Sequence, residues 1–403
     1  MNSFLFALAL FAGPEMAEKA VLVLALSILA LVFADQAFVG TASNGSLVLQ
    51  PASGQQVLVD GVVFKSLVER LGAVERQLAA QRCATVADTT SMTGLSGIFK
   101  WRPGALAPNG KIYATPGFSN SVLIIDPTTD AADTTTITGF SGTDQWTSPV
   151  LALVPSGKLY AFPGRSPSVL VIDPATGKTD TITIASFSAT EIQKYSAGTL
   201  AGNNKVYGIS STSPSVLIFD PTTNTSDITT ITGLEGPVYM WHGGVLAGNG
   251  KIYGIPDNSE SVLIIDPVTD TADTTSISGL TGSRKWLGGV LAGNGKIYGI
   301  PFNSASVLIV DPATNAADTT TIVGLGAHIE KWIYGALANN GKIYGAPYNS
   351  GSVLIINPVT NTTDTTTITG LGGTNKWVGG VLAGNGKIYG IPHNFTSVLI
   401  IQQ

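Results

Sequence analysis

The sequence predicts an all-β chain: a seven-bladed β-propeller, closed by an N-terminal outer strand and preceded by a short stalk with a helix. Three observations point there. The segment WHGGVLAGNGKIYGIPDNSESVLIIDPVTDTADTTSISGL at 241–280 is one of seven near-copies, whose cores place Lys111, Lys158, Lys205, Lys251, Lys296, Lys342 and Lys387 at intervals of 45 to 47 residues. That is the spacing of four-stranded propeller blades. Each copy divides into four short apolar or β-branched runs separated by Asn-Gly, Asp-Pro and Ser-rich turns. The last copy stops after its third run, and DTTSMTG at 88–94 offers the missing fourth from the other end of the chain. A ring closed in this way leaves no radial gap.

Composition agrees with this class. Only 12% of the 403 residues are charged and 47 are glycine, which suits short strands and tight turns. The net charge is -5 and no run of Lys or Arg occurs, so nucleic acid is not an expected partner. Cys83 is the single cysteine, which excludes an intrachain disulfide framework and a cysteine-rich zinc site.

In chain order, residues 1–34 read as a signal peptide or a membrane anchor. The apolar run at 20–34 follows Lys19 and ends in Val32-Phe33-Ala34, in which the small residues Val32 and Ala34 suit signal peptidase. It is shorter than the roughly 20 residues of a membrane span. Translation from Met16 gives the better-formed leader. The expected location is therefore secreted or cell-surface, with any membrane contact made only through 1–34.

Residues 35–63 read as a short β stalk segment, in which 44–63 forms two alternating strands around Pro51-Ala52-Ser53-Gly54. Over 64–85 a short helix or coiled coil is expected, because Phe64, Leu67, Leu71, Val74 and Leu78 step by three and four. So short a seam is marginal alone. Residues 64–82 are thus an expected homo-oligomer contact and Cys83 a candidate interchain disulfide, the alternative being a lone helix that caps the propeller.

The propeller is expected over 86–403. In the fifth copy, 286–292 reads as strand A, 296–300 as strand B, 306–311 as strand C and 318–324 as strand D. Gly288-Gly289 suits the crowded innermost strand. Val307 to Val310 is apolar throughout, so both faces of strand C are buried between blades. Threonine dominates strand D, keeping β propensity while leaving the outer edge polar. The GKIY core, followed by SVLIIDP with Asp266-Pro267 or SVLIVDP with Asp311-Pro312, resembles kelch-type propellers over 86–403. It has Ile-Pro where kelch blades carry a double glycine, and its aromatic stands before strand A rather than in strand D. The resemblance implies blade architecture and no particular partner.

Catalytic signatures are absent, so no catalytic residue, metal or cofactor is expected. His242, His328 and His393 share no metal-binding spacing, and GNGKIYG lies in a hairpin rather than at a strand-to-helix turn. Asp126, Asp130 and Asp133 read as turn residues. The copies differ most after strand B, where blades four to seven carry Asp257, Phe302, Tyr348 and His393, followed by Asn258, Asn303, Asn349 and Asn394. Aromatics beside amides and a carboxylate suit a sugar or a polar peptide. The expected ligand-binding set is Asp257, Phe302, Tyr348, His393, Asn258, Asn303 and Asn349. Sequons at Asn44, Asn224, Asn361 and Asn394 are the expected glycosylation sites.

These readings converge on an exported or surface-anchored binding module for carbohydrate or protein, without catalysis. A structural surface or matrix repeat protein is the alternative. A propeller-scaffold hydrolase, lyase or oxidoreductase, built on scattered groups such as His328, Glu330, His393 and Arg165, is the second.

Overall fold

Runs of β-branched and aromatic residues between turn sequences fold here into antiparallel ladders. The structure is a computed structural model that describes residues 38–41, 47–50, 58–59, 62–63, 85–151, 157–184 and 193–403. The chain divides into two units, residues 1–83 and 84–403.

In the first unit Phe38–Thr41 pairs with Leu47–Gln50, and Leu58–Val59 pairs with Val62–Val63. Asp60-Gly61 between the latter two is the dipeptide a tight hairpin prefers. The run at 47–50 thus finds its partner upstream, rather than across the turn at 51–54. The expected leader or anchor, the helix and contact at 64–82, Cys83 and Asn44 lie outside the described residues.

The second unit is a seven-bladed β-propeller, seven antiparallel sheets of four strands. Blade 5 shows the plan: Trp286–Leu291 is strand A, Ile297–Pro301 strand B, Leu308–Asp311 strand C and Ala316–Asp318 strand D. Strand B is buried at all five positions, and strand C at all but its final Asp, so neighbouring sheets share one apolar seam. Burying one such Ile or Leu contributes about 1.5–3 kcal/mol. No helix occurs among the described residues. Blade 7 takes its outer strand from the far end of the chain, where Val86–Asp88 pairs with Leu399–Gln402 and Asp88 lies opposite Ile400.

Strand D lies earlier than the threonine run suggests. It is Ala316–Asp318 rather than 318–324, and Val86–Asp88 rather than 88–94. The cause is a side chain. Asp318 Oδ1 accepts hydrogen bonds from the main-chain N–H groups of Thr320 (2.7 Å) and Thr321 (3.1 Å), which folds the chain away from the ladder. Blade 2 lacks that pattern, and its strand D, Lys178–Thr183, pairs along its whole length.

Recurring polar groups of the repeat form its joints. The Trp286 indole N–H donates to the Ser306 carbonyl within its own blade (2.7 Å). Between blades, the Tyr298 hydroxyl donates to Asn361 Oδ1 of blade 6 (2.8 Å), and the Tyr389 hydroxyl to Asp130 Oδ1 of blade 1 (2.5 Å). Lys285, Lys331, Lys376 and Lys100, each just before the blade aromatic, place their ammonium groups on three carbonyls apiece in the preceding loops.

Candidate functional site

Every strand A begins with a β-bulge. In blade 5, Trp286 pairs with Pro301 and Gly289 with Gly299, so one extra residue is inserted on the inner strand. The same irregularity recurs in the other six blades. Bulges re-aim side chains, and these occur where the inner strands converge. The residues after the aromatic are Arg102, Thr147, Ser196, His242, Leu287, Ile333 and Val378, no two alike. Blades 1 to 4 are polar at this ring and blades 5 to 7 apolar.

A cavity of about 70 Å³ opens on the polar side. Its wall includes Arg102, Asp144, Trp146, Thr147, Ser148, Gln193, Tyr195, Ser196, Tyr239, His242 and Tyr334. The D–A and B–C loops meet at this face, which is the face where the copies differ.

Tyr334 closes the axis. It holds φ +51° where three other copies have glycine, Gly243 (φ +82°), Gly288 (φ +82°) and Gly379 (φ +76°). A Cβ on Gly288 would lie 2.5 Å from Tyr334 Cδ1, so the tyrosine in one blade requires glycine in its neighbour. The His242 ring meets Tyr334 edge-on at 5.3 Å. Burial raises the Tyr334 phenol well above its ordinary pKa, which keeps it a neutral donor.

Charge is paired unevenly around the cavity. Arg102 forms an ion pair with Asp144. Asp257, 2% exposed, stands behind His242 with Oδ2 3.7 Å from Nδ1. Thr147 Oγ1 and Asp257 Oδ1 are buried without a hydrogen-bond partner in the protein.

The expected ligand-binding residues are placed differently from one another. Phe302, Tyr348 and His393 do come together, with ring centroids 5.5 and 5.8 Å apart, and Phe99 continues the row 4.9 Å from His393. Phe302 and His393 are buried, and Tyr348 is half-buried. The row is therefore mainly wall. Burial, with Arg102 adding to it, lowers the His393 pKa to about 4, and its Nδ1 lies 3.1 Å from the Trp101 carbonyl. Asp257 does not join the row.

Three asparagines of the expected set are tied to the next blade. Asn258, Asn303 and Asn349 accept hydrogen bonds through Oδ1 from the N–H groups of Arg284 (2.7 Å), Glu330 (2.8 Å) and Asn375 (2.7 Å), each at positive φ. Asn394 does the same for Phe99 at 2.7 Å. Glu330 bridges Arg284 (3.0 Å) and the Asn349 amide (3.2 Å) at the rim, while His328 and Arg165 are exposed and do not line the cavity. Among the described sequons, Asn224 is exposed and Asn361 and Asn394 are half-buried.

The strand A ring and the cavity were missed by reading the post-B loops alone. A signal existed in the column directly after each blade aromatic, which changes in every copy, and in the next, where Tyr334 replaces the glycine of three other copies.

No family model matches the chain, and no curated protein matches it. Solved structures do. Virginiamycin B lyase from Staphylococcus aureus is 7% identical with a TM-score of 0.61, covering 79% of this chain and 99% of that one. A structure of YCF48 bound to D1 peptide is 8% identical with a TM-score of 0.56, covering 79% and 94%. Kuenenia stuttgartiensis hydrazine synthase is 15% identical with a TM-score of 0.56, covering 78% and 97%. At such identities the likeness concerns the propeller fold alone.

Proposed function

We propose that the propeller is a docking module that binds a protein segment on the face carrying the D–A and B–C loops, and that the chain presents it outside the cell. One observation carries this reading: Ile98, Val238 and Ile329 are 59%, 64% and 66% exposed in D–A loops of that face, and Phe118 and Tyr239 are exposed there too. Apolar side chains around a small polar cavity can exclude water from a central anchoring contact. The cavity volume of about 70 Å³ suits one side-chain tip, being far below the roughly 300 Å³ where small-molecule sites begin. Protein is therefore favoured over carbohydrate. The peptide complex of YCF48 supports this use of a propeller.

The test compares random displayed peptides and a glycan array on the wild-type protein and on an Ile98→Ser, Val238→Ser, Ile329→Ser triple variant. Peptide binders that the triple variant loses are expected. Glycan hits retained by the triple variant would contradict the proposal, and an absence of all binders would favour the structural repeat protein.

A catalytic reading has one specific observation behind it, His242 between Asp257 and Tyr334 in the same cavity. It predicts turnover that His242→Ala abolishes without loss of folding.

A further inference from the structure

We propose that the axial cavity receives a carboxylate, so that the docked segment carries an acidic side chain or a free C-terminus at its anchoring position. This rests on the docking reading and specifies its chemistry. Three observations bear on it.

First, the cavity wall is rich in donors. Asp144 is the one carboxylate lining it among the described residues, and it is already bound by Arg102. The guanidinium, about a quarter exposed, has Asp144 as its sole described partner, which leaves its other N–H groups for a ligand. Thr147, buried with an unpartnered hydroxyl, lines the cavity with it, as do the donors Gln193, His242 and Tyr334.

Second, the surrounding loops hold positive charge that nothing neutralises at short range. Lys100, Lys285, Lys331 and Lys376 are 0 to 3% exposed, yet none has a carboxylate within ion-pair distance among the described residues. Main-chain carbonyls satisfy their hydrogen bonds but carry no net charge. Asp257 and Glu260 act on Lys285 from further off. Burial lowers their pKa to about 8, which leaves them mostly protonated at neutral pH, and this positive charge in the loops of the face favours an anionic partner there.

Third, lysines of the opposite face are paired directly with carboxylates. There Lys111, Lys251 and Lys296 pair with Asp126 (3.1 Å), Asp266 (3.3 Å) and Asp311 (3.5 Å). That face also carries aspartates without an ion pair among the described residues, such as Asp173 and Asp220, so it offers an anion less than the face where the copies differ.

An acidic side chain fits this surface better than a sugar acid, because Ile98, Val238 and Ile329 offer apolar contacts to the flanking residues.

The probe is the set of capped peptides selected by display on the intact protein. Enrichment of Asp or Glu at one position between apolar residues is expected. Affinity should fall roughly tenfold or more when that acid becomes its amide, or when Arg102→Gln is introduced, and Arg102→Lys should retain part of it. Thermal unfolding of each variant checks folding. Peptides with a free C-terminus and no internal acid form a separate arm, and if only these bind, the anchor is the chain terminus. Peptides that lose affinity in the Ile98, Val238, Ile329 variant but tolerate both the amide change and Arg102→Gln would overturn the carboxylate anchor and leave docking intact. Absence of any peptide binder would overturn both.

Discussion

A bulky side chain at φ +51° costs about 1–2 kcal/mol, and Tyr334 bears that strain where other copies use glycine. Packing compensates for it, because the ring lies against Gly288 and His242 across the axis. Gly288→Ala should therefore lower stability by roughly 2 kcal/mol or more, through a Cβ that collides with Tyr334 and a positive φ. In a Tyr334→Gly background the clash with the ring disappears and only the residue 334 Cα, 3.0 Å away, stays close, so the same substitution should cost about 1 kcal/mol less. Denaturant unfolding of the four proteins in the cycle measures the difference, and equal costs in both backgrounds would refute the contact.

At the scale of the element, the outer strand is governed by its aspartates. Hydrogen bonds from the Ser276, Thr321 and Thr367 hydroxyls hold Asp273, Asp318 and Asp364 at a pKa of about 2, below the ordinary 3.8. A folded pKa depressed in this way stabilises the fold above pH 4 and loses that contribution as pH falls towards 2. Acid titration monitored by circular dichroism should show stability declining across that window, and Asp318→Asn should flatten the slope. These same turns explain what the sequence left obscure. Strands A to C were legible, since aromatic and aliphatic runs between Asn-Gly and Asp-Pro turns admit little else. Strand D was displaced because Asp-Thr-Thr has strand propensity, while its side chains compete for the backbone. The bulge at Trp286 to Gly289 shifts register by one residue without altering composition, so only comparison of the copies reveals the ring from Arg102 to Val378. The asparagines after strand B were misleading, because amides that hold a neighbouring loop and amides that meet a ligand look alike in sequence.

For the whole molecule, closure and function depend on different parts of the repeat. Closure depends on invariants, together with the pairing of Val86–Asp88 with Leu399–Gln402. A chain starting at residue 89 would expose the edge of Leu399, Ile400 and Ile401, and it should unfold at lower denaturant and aggregate more readily than one starting at residue 84. Equal stability of the two would show that the ring closes without that strand. Function, in this account, belongs to the positions that vary.

Hydrogen exchange of the intact propeller, with and without a saturating display-selected peptide, tests that claim most directly. Protection is predicted in the D–A loops around Ile98, Tyr239 and Ile329 and at the start of strand A in blades 1 to 4. Protection on the Asn-Gly and Asp-Pro loops of the other face, or spread equally over all seven copies, would contradict it.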